Sequence, residues 1–223
     1  MQYAMPASVT FCLTGGAVVF LDTDRNRYFR LGQRLDADFR ALVAAGPAAA
    51  QDVASLIRLG VLQAVTDERA CLNRAEAPAP SRSLVEEAAA DPRSGARLTP
   101  QVAGAVVLTW ASLKSSSLSS LVARHRALRR RALDSAGRPK SGGDVYSLSA
   151  SFNQLRRLVP IDTVCLLDSF ALLGFLAGRG HFPQLVFGVR LNPFAAHCWV
   201  QQDDVVLNDA VERASTYTPI LVV

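Results

Sequence analysis

Pro193-Phe-Ala-Ala-His197-Cys-Trp-Val-Gln201, then Gln-Asp-Asp, then Val205-Val-Leu-Asn-Asp209, reads as two short strands joined by a tight loop. Strand-prone residues lie on either side of polar turn formers. If Gln202-Asp203-Asp204 is a three-residue loop, Gln201 pairs with Val205 and Trp199 with Leu207. His197 then lies directly opposite Asp209. Cross-strand neighbours hold their Cβ atoms about 4.5–5.5 Å apart, within reach of an imidazole–carboxylate hydrogen bond. A one-residue slip would put the two on opposite faces. The same alternation turns Cys198 away from His197 and gives it the reading of a buried structural thiol.

A nucleophile for this pair stands upstream, in Asp162-Thr-Val-Cys165-Leu-Leu-Asp-Ser-Phe-Ala-Leu-Leu-Gly-Phe-Leu-Ala177. Asp162 or Thr163 is a natural N-cap, and the segment is apolar nearly all round, so it predicts a buried helix. Cys165 falls in its first turn, where free N–H groups and the positive end of the helix dipole favour a thiolate. A cysteine in an apolar helix is ordinarily a core residue, a lone histidine a satisfied core side chain, and an aspartate a strand-end cap. Together they form a set for covalent catalysis: Cys165 as nucleophile, His197 as proton shuttle and Asp209 as the group that orients the imidazole. His125 reads as structural, His181 as complementing a helix dipole or exposed, and Asp168 as a structural residue that could tune Cys165 or pair with an arginine.

The four cysteines (Cys12, Cys71, Cys165, Cys198) show no CxxC pair, which argues against a zinc site and a disulfide scaffold, and no P-loop is present. The most apolar stretches are too short to span a bilayer, and no signal sequence opens the chain, so a soluble cytoplasmic protein is expected. The net charge of +5 comes almost wholly from arginine, with Arg124, Arg126, Arg129, Arg130, Arg131 and Arg138 in one segment. Such a cluster can bind nucleic acid or an acidic partner. No nucleic-acid signature with interleaved aromatics accompanies it, so the solvated face of a helix is the expectation.

The 223 residues divide into two units. Residues 1–75 begin with three short strands, Ser8–Leu13, Ala17–Leu21 and Arg27–Leu31, separated by Gly15-Gly16 and by the polar run from Asp22 to Asn26. Helical spacing follows at Phe39, Leu42 and Val43, and again at Val53, Leu56 and Ile57, with Val61–Val65 as a closing strand. This pattern predicts a winged-helix-like module. Residues 76–97, rich in Pro, Ala, Ser and charge, read as a linker. Residues 98–223 carry three helices before the Cys165 helix. The first starts at Thr99-Pro100 with Val102, Val106 and Trp110 on one face, the second turns Leu118, Leu121, Val122, His125 and Leu128 inward, and the third follows Asp144. Strands over Leu185–Val189, Ala195–Gln201 and Val205–Asp209 come last. The fold class expected is α+β.

Cys165-Leu-Leu-Asp-Ser-Phe-Ala-Leu, Phe187-Gly-Val-Arg190, Pro193-Phe-Ala-Ala-His197-Cys-Trp-Val200 and Asp209 together resemble the transglutaminase-like leader peptidase of lasso-peptide biosynthesis, with Cys198 where a small residue usually stands. The run from Ala17 to Asp22, followed by Asn26-Arg-Tyr28-Phe-Arg-Leu31, is similar to the precursor-recognition element fused ahead of some such peptidases. The resemblance implies a papain/transglutaminase-like cysteine protease domain. It also implies capture of the leader as an added strand beside Arg27, Tyr28, Phe29, Arg30 and Leu31, with Val53, Leu56 and Ile57 on the neighbouring helix. The implied partners are the lasso precursor peptide and an asparagine-synthetase-like cyclase, to which any ATP dependence would belong. No cofactor or metal is implied for this chain, and neither nucleic acid nor membrane is an expected partner. Two other functions fit parts of the same pattern: a transglutaminase or acyltransferase using the same thiol, and a non-catalytic winged-helix DNA-binding regulator.

Overall fold

The computed structural model describes residues 2–65, 72, 74–87, 98–134 and 144–223. Cys71, Arg138, the expected Gly137–Gly143 loop and the second half of the expected linker lie outside the described residues. After a short strand β1 (Gln2–Ala4), β2 (Val9–Thr14) turns onto β3 (Ala17–Asp22) through Gly15 and Gly16, whose φ values of 54° and 75° suit residues without a Cβ. Asp22 accepts the backbone N–H groups of Asp24 and Arg25, and this turn brings in β4 (Arg27–Phe29). The three strands form an antiparallel sheet in the order β2-β3-β4, leaving β4 at an edge. Helices α1 (Gln33–Ala45) and α2 (Val53–Arg58) follow, and β5 (Gln63–Val65) pairs back with β1.

β3 is buried at all six positions, and the alternation of a strand explains how. Val18 and Phe20 pack with Phe39, Leu42 and Leu56 beneath α1 and α2. Val19 and Leu21, facing the other way, join Cys12 in the larger core formed by the rest of the chain. The N-terminal sheet therefore has no solvent face at its centre. It is sandwiched between its own helices and the C-terminal unit.

The stretch expected as a linker has structure of its own in its described half. Arg82–Ser83 form β6, which pairs in parallel with β9, and Leu84–Glu87 form α3 against the later helices. Proline and alanine spacing read as linker composition because two strand residues give no periodic signal; the pairing is decided by the sheet they meet. Next come α4 (Thr99–Ser115), α5 (Leu118–Asp134), α6 (Val145–Arg156), capped by the Asp144 side chain, and α7 (Cys165–Ala177). Val102 and Val106 of α4 are buried as expected, but Trp110 is partly exposed and lies under the Lys114 ammonium at 3.8 Å. Leu128 of α5 is likewise more exposed than expected. The arginines of α5 among the described residues lie mostly in solvent, with only Arg129 half-buried.

A five-stranded sheet, ordered β10-β7-β8-β9-β6, packs on α7. It contains β7 (Gln184–Arg190), β8 (Ala195–Gln202), β9 (Val205–Val206) and, after helix α8 (Val211–Ser215), β10 (Thr218–Val222). β10 carries Pro219, which discourages a strand assignment from sequence. It is accommodated because β10 is an edge strand whose register shifts between Pro219 and Leu221. The hairpin turn of β2 and β3 reaches the same sheet: Leu191 packs on Gly15, and the Thr218 hydroxyl donates to the Thr14 hydroxyl at 2.9 Å.

Because Leu21 is fully buried in the core shared by both units, Leu21→Ala is expected to cost about 2–5 kcal/mol. Both tryptophans, Trp110 and Trp199, belong to the C-terminal unit, so tryptophan fluorescence reports its unfolding. The substitution should lower that thermal midpoint. An unchanged fluorescence midpoint beside an altered circular-dichroism transition would show that the two units unfold separately.

Candidate active site

The sulfur of Cys165 sits at the first residue of α7. The cap falls one to two residues later than Asp162 or Thr163, expected from sequence: Val164 is the N-cap and makes no side-chain capping bond. The reason lies in the preceding turn. Arg156, almost fully buried, binds the carbonyls of Val159, Ile161 and Asp162 and pairs with Asp168 at 2.5 Å. It holds this segment in place by its backbone, and no side chain from it folds back to cap α7. The first-turn N–H groups of α7 thus have no side-chain cap at Val164. Asp168 is thus an ion-pair partner, one of the two roles its position left open.

His197 reaches Asp209, though not by the register expected. The loop has two residues, Asp203 and Asp204, with Asp203 at φ 55°, a left-handed conformation that aspartate tolerates. Gln202 pairs with Val205 and Gln201 with Val206. Continued in that register, the ladder would set Asp209 opposite Cys198, on the wrong face for His197. β9 stops at Val206 instead, and residues 207–209 bend out of the sheet. Asp209 is thereby carried round to His197, where its Oδ2 meets Nε2. The expectation of a strand running to Asp209 fails, yet the contact it was invoked to explain is made. Asn208, Asn153, Ser169 and Ser83, which hold this bend, were not singled out from the sequence. The Asn-Asp pair, weak in β propensity, is the signal that could have marked an early strand end.

With Nε2 engaged by Asp209, Nδ1 is the ring nitrogen left for Cys165, and the thiol and imidazole are hydrogen-bonded. The imidazole lies between two rings, Trp199 at 6.1 Å and Tyr217 at 5.2 Å. Gly188, its cross-strand neighbour, makes room for them: a Cβ there would fall 2.7 Å from Tyr217 and 2.9 Å from Trp199. Asp209 is anchored as well. Its carbonyl accepts the Ser83 hydroxyl at 2.7 Å, and its Oδ1 accepts the Ala210 N–H at 2.8 Å.

Electrostatics follow from these contacts. The Cys198 thiol, whose proton points to the Ser169 hydroxyl at 3.9 Å, is held well above its usual range by the neighbouring Cys165 sulfur and by burial; its polar neighbourhood, with His197 and the Cys198 N–H, lowers the Cys165 thiol to about 4. Cys198 is therefore buried and turned to the far face as expected, but it is not a bystander. For His197, burial favours the neutral ring, but hydrogen bonds to Asp209 and Cys165 outweigh it and raise the imidazole to about 9. Both shifts run toward the charged forms, a thiolate beside an imidazolium.

The other residues singled out from sequence are more scattered. Arg27 and Arg30 are exposed beside the open edge of β4. Phe29 stacks on Phe20 at 5.1 Å inside the N-terminal core, and Leu31 and Val53 pack against that core. Leu56 is fully buried, so its side chain offers nothing to a peptide on the surface; helical spacing placed it beside Ile57 without revealing that it is the residue facing inward. Ile57 is partly exposed. Tyr28 points the other way, toward the C-terminal unit: it meets Phe194 edge to face at 5.8 Å, and burial with the nearby sulfurs of Cys198, Cys165 and Cys12 raises its hydroxyl above the usual range. His125 is buried in α5, and desolvation keeps it neutral, while its ring bonds to the Pro183 backbone. His181 is buried just beyond α7 rather than exposed, with its backbone N–H on the Leu176 carbonyl at the helix end.

A family model described as the transglutaminase-like superfamily matches residues 105–222. No curated protein and no solved structure matches the chain.

With the thiol lowered to about 4 and the imidazole raised to about 9, alkylation of Cys165 by iodoacetamide should switch on as pH rises through about 4 and stay level to about 9. Peptide mass mapping of the labelled cysteine across pH checks this. A rate that climbs only near pH 9, as for an ordinary thiol, would contradict the ion pair.

Proposed function

The chain belongs to the transglutaminase-like superfamily, which includes cysteine proteases and acyltransferases, and from that premise we propose that it is a leader peptidase of lasso-peptide maturation. The observation that carries the catalytic part is the join of Cys165, at an uncapped helix start, with His197 and Asp209. Cys165 Sγ attacks the scissile carbonyl carbon, and the oxyanion forms against the N–H groups opening α7. As the C–N bond breaks, His197 gives its Nδ1 proton to the leaving amine, and the acyl group remains as a thioester. His197, now neutral, takes a proton from water, whose oxygen attacks the thioester and frees the acid and Cys165. Asp209 keeps the ring in the tautomer with Nδ1 toward sulfur and balances its positive charge.

Residues 1–75 serve as a winged-helix-like recognition unit in this reading, with residues 98–223 as the peptidase. The leader of a ribosomally made precursor adds as a strand to the free edge of β4, beside the exposed guanidinium groups of Arg27 and Arg30. Support comes from the position of that edge: the same short strand that carries it also carries Tyr28, which packs toward Phe194 and the sulfur of Cys165. A leader held there would lie close to the thiol. The released core would pass to an asparagine-synthetase-like cyclase that closes a macrolactam.

The test is incubation with a synthetic lasso precursor peptide carrying its leader, read by mass spectrometry. Cleavage that adds one water across the two fragments is expected, and Cys165→Ala should abolish it; release at the wild-type rate by that variant would refute the assignment. A product joined to an added amine without gain of water would point to the acyltransferase chemistry of the superfamily instead. On the recognition side, Arg27→Glu with Arg30→Glu should weaken binding of the full leader while sparing cleavage of a fragment with only a few leader residues. Equal loss on both substrates would remove the separate recognition role.

A further inference from the structure

The bend that carries Asp209 to His197 is held by side chains that replace a β ladder bond by bond. Leu207 makes one normal ladder contact, its N–H donating to the Val200 carbonyl at 2.8 Å. In a continuing antiparallel ladder the Val200 N–H would return this bond to the Leu207 carbonyl. It donates instead to Asn208 Oδ1 at 2.7 Å, and the Leu207 carbonyl is turned away to accept Asn153 Nδ2 of α6, also at 2.7 Å. The other end of the Asn208 amide donates to Ser169 Oγ of α7 at 3.0 Å. The next ladder bond would join the Cys198 N–H to the Asp209 carbonyl. That carbonyl is taken by the Ser83 hydroxyl, and the Cys198 N–H is left to the Cys165 sulfur.

We infer that Asn208, seated on Ser169 and assisted by Asn153, is a positioning residue that ends β9 one bond early. By doing so it puts the Asp209 carboxylate on the His197 ring and leaves the Cys198 N–H open to the Cys165 sulfur. The inference rests on the triad reading above. The physical logic is the register: with Val200 and Leu207 paired on both sides, the strand would zip on, Asp209 would fall opposite Cys198, and the imidazole would lose its partner. Asn208 blocks this because its side-chain oxygen occupies the Val200 N–H, and its amide nitrogen is held by the buried Ser169 hydroxyl, four residues along α7 from Cys165. One residue thus couples the helix that bears the nucleophile to the bend that bears the carboxylate.

The charged and titratable groups around the pair come from α6, α7, α8, strands β4, β7 and β8 and the bend at Asp209. Cys165 faces His197 and Cys198, with Asp168, paired to Arg156, a turn along α7 and Tyr28 across from β4; His197 faces Asp209 and Cys165, between the Trp199 and Tyr217 rings, with Arg213 of α8 3.7 Å from Asp209 Oδ1 and Arg190 of β7 over the Tyr217 ring. The pH profile of Cys165 alkylation by iodoacetamide therefore reads whether Asp209 is in place, without needing a substrate. Asp209→Asn, the reference, is expected to move the midpoint upward by about one unit or more, as loss of a carboxylate neighbour weakens the imidazolium that stabilises the thiolate. Asn208→Val should give a similar upward shift, and Asn208→Asp, which keeps an acceptor for the Val200 N–H, should restore most of the wild-type profile. A folded Asn208→Val with an unshifted midpoint, beside a shifted Asp209→Asn, overturns the inference and leaves the triad intact. A flat Asp209→Asn profile overturns the triad reading and the inference with it. If Asn208→Val does not fold, Asn153→Ala, which frees only the Leu207 carbonyl, takes its place: an upward shift supports the positioning role, and none overturns it.

Discussion

β8 and β9 pair at only two positions, Gln201 with Val206 and Gln202 with Val205, and the site depends on the ladder stopping there. A sheet alternates its faces strictly, so a strand carrying both Val206 in the core and Asp209 on the His197 face could not be regular to its end. The chain resolves the conflict by leaving the sheet. Side chains take over bonds the ladder would have made: Asn208 accepts the Val200 N–H, Asn153 of α6 donates to the Leu207 carbonyl and Ser83 of β6 to the Asp209 carbonyl.

The helix side of the site has a matching logic. α7 is apolar on almost every face and is buried between the sheet and the other helices, so its axis is set by packing on all sides. A helix fixed in that way presents its first turn at one place. The buried Arg156 holds the preceding turn through three carbonyls, and the thiol inherits both constraints. The sulfur, the imidazole and the carboxylate are thus delivered by three separate elements, and the Asn208–Ser169 bond ties the helix of the first to the bend of the last.

The N-terminal unit is less separable than a two-domain chain with a linker suggests. Its central strand sends alternate side chains into two cores, and the described part of the linker supplies a strand and the Ser83 hydroxyl that binds Asp209. Val19 and Leu21 gave no hint in sequence of a second packing partner, since an all-apolar strand looks the same whether one neighbour or two will cover it. Phe29 and Tyr28, adjacent in sequence, end in different units for the same alternating reason.

What the sequence by itself determined was local and periodic: the apolar helix with Cys165 in its opening turn, the Gly15-Gly16 hairpin, the amphipathic helices, and the residue types of the candidate triad. These follow from spacing and chain stereochemistry, which need no distant partner. Tertiary structure decided the rest: the two-residue loop, the early end of β9, the inward turn of Leu56, the strand hidden in the linker and the approach of Cys198 to Cys165. Each of these depends on which backbone and side-chain groups compete for the same hydrogen bond or the same space. That competition is settled by elements far apart in the chain, as Asn153 and Leu207 show. His197 and Asp209 could be matched from sequence by their chemistry, but the path that joins them exists only once α6, α7 and β6 have closed around it.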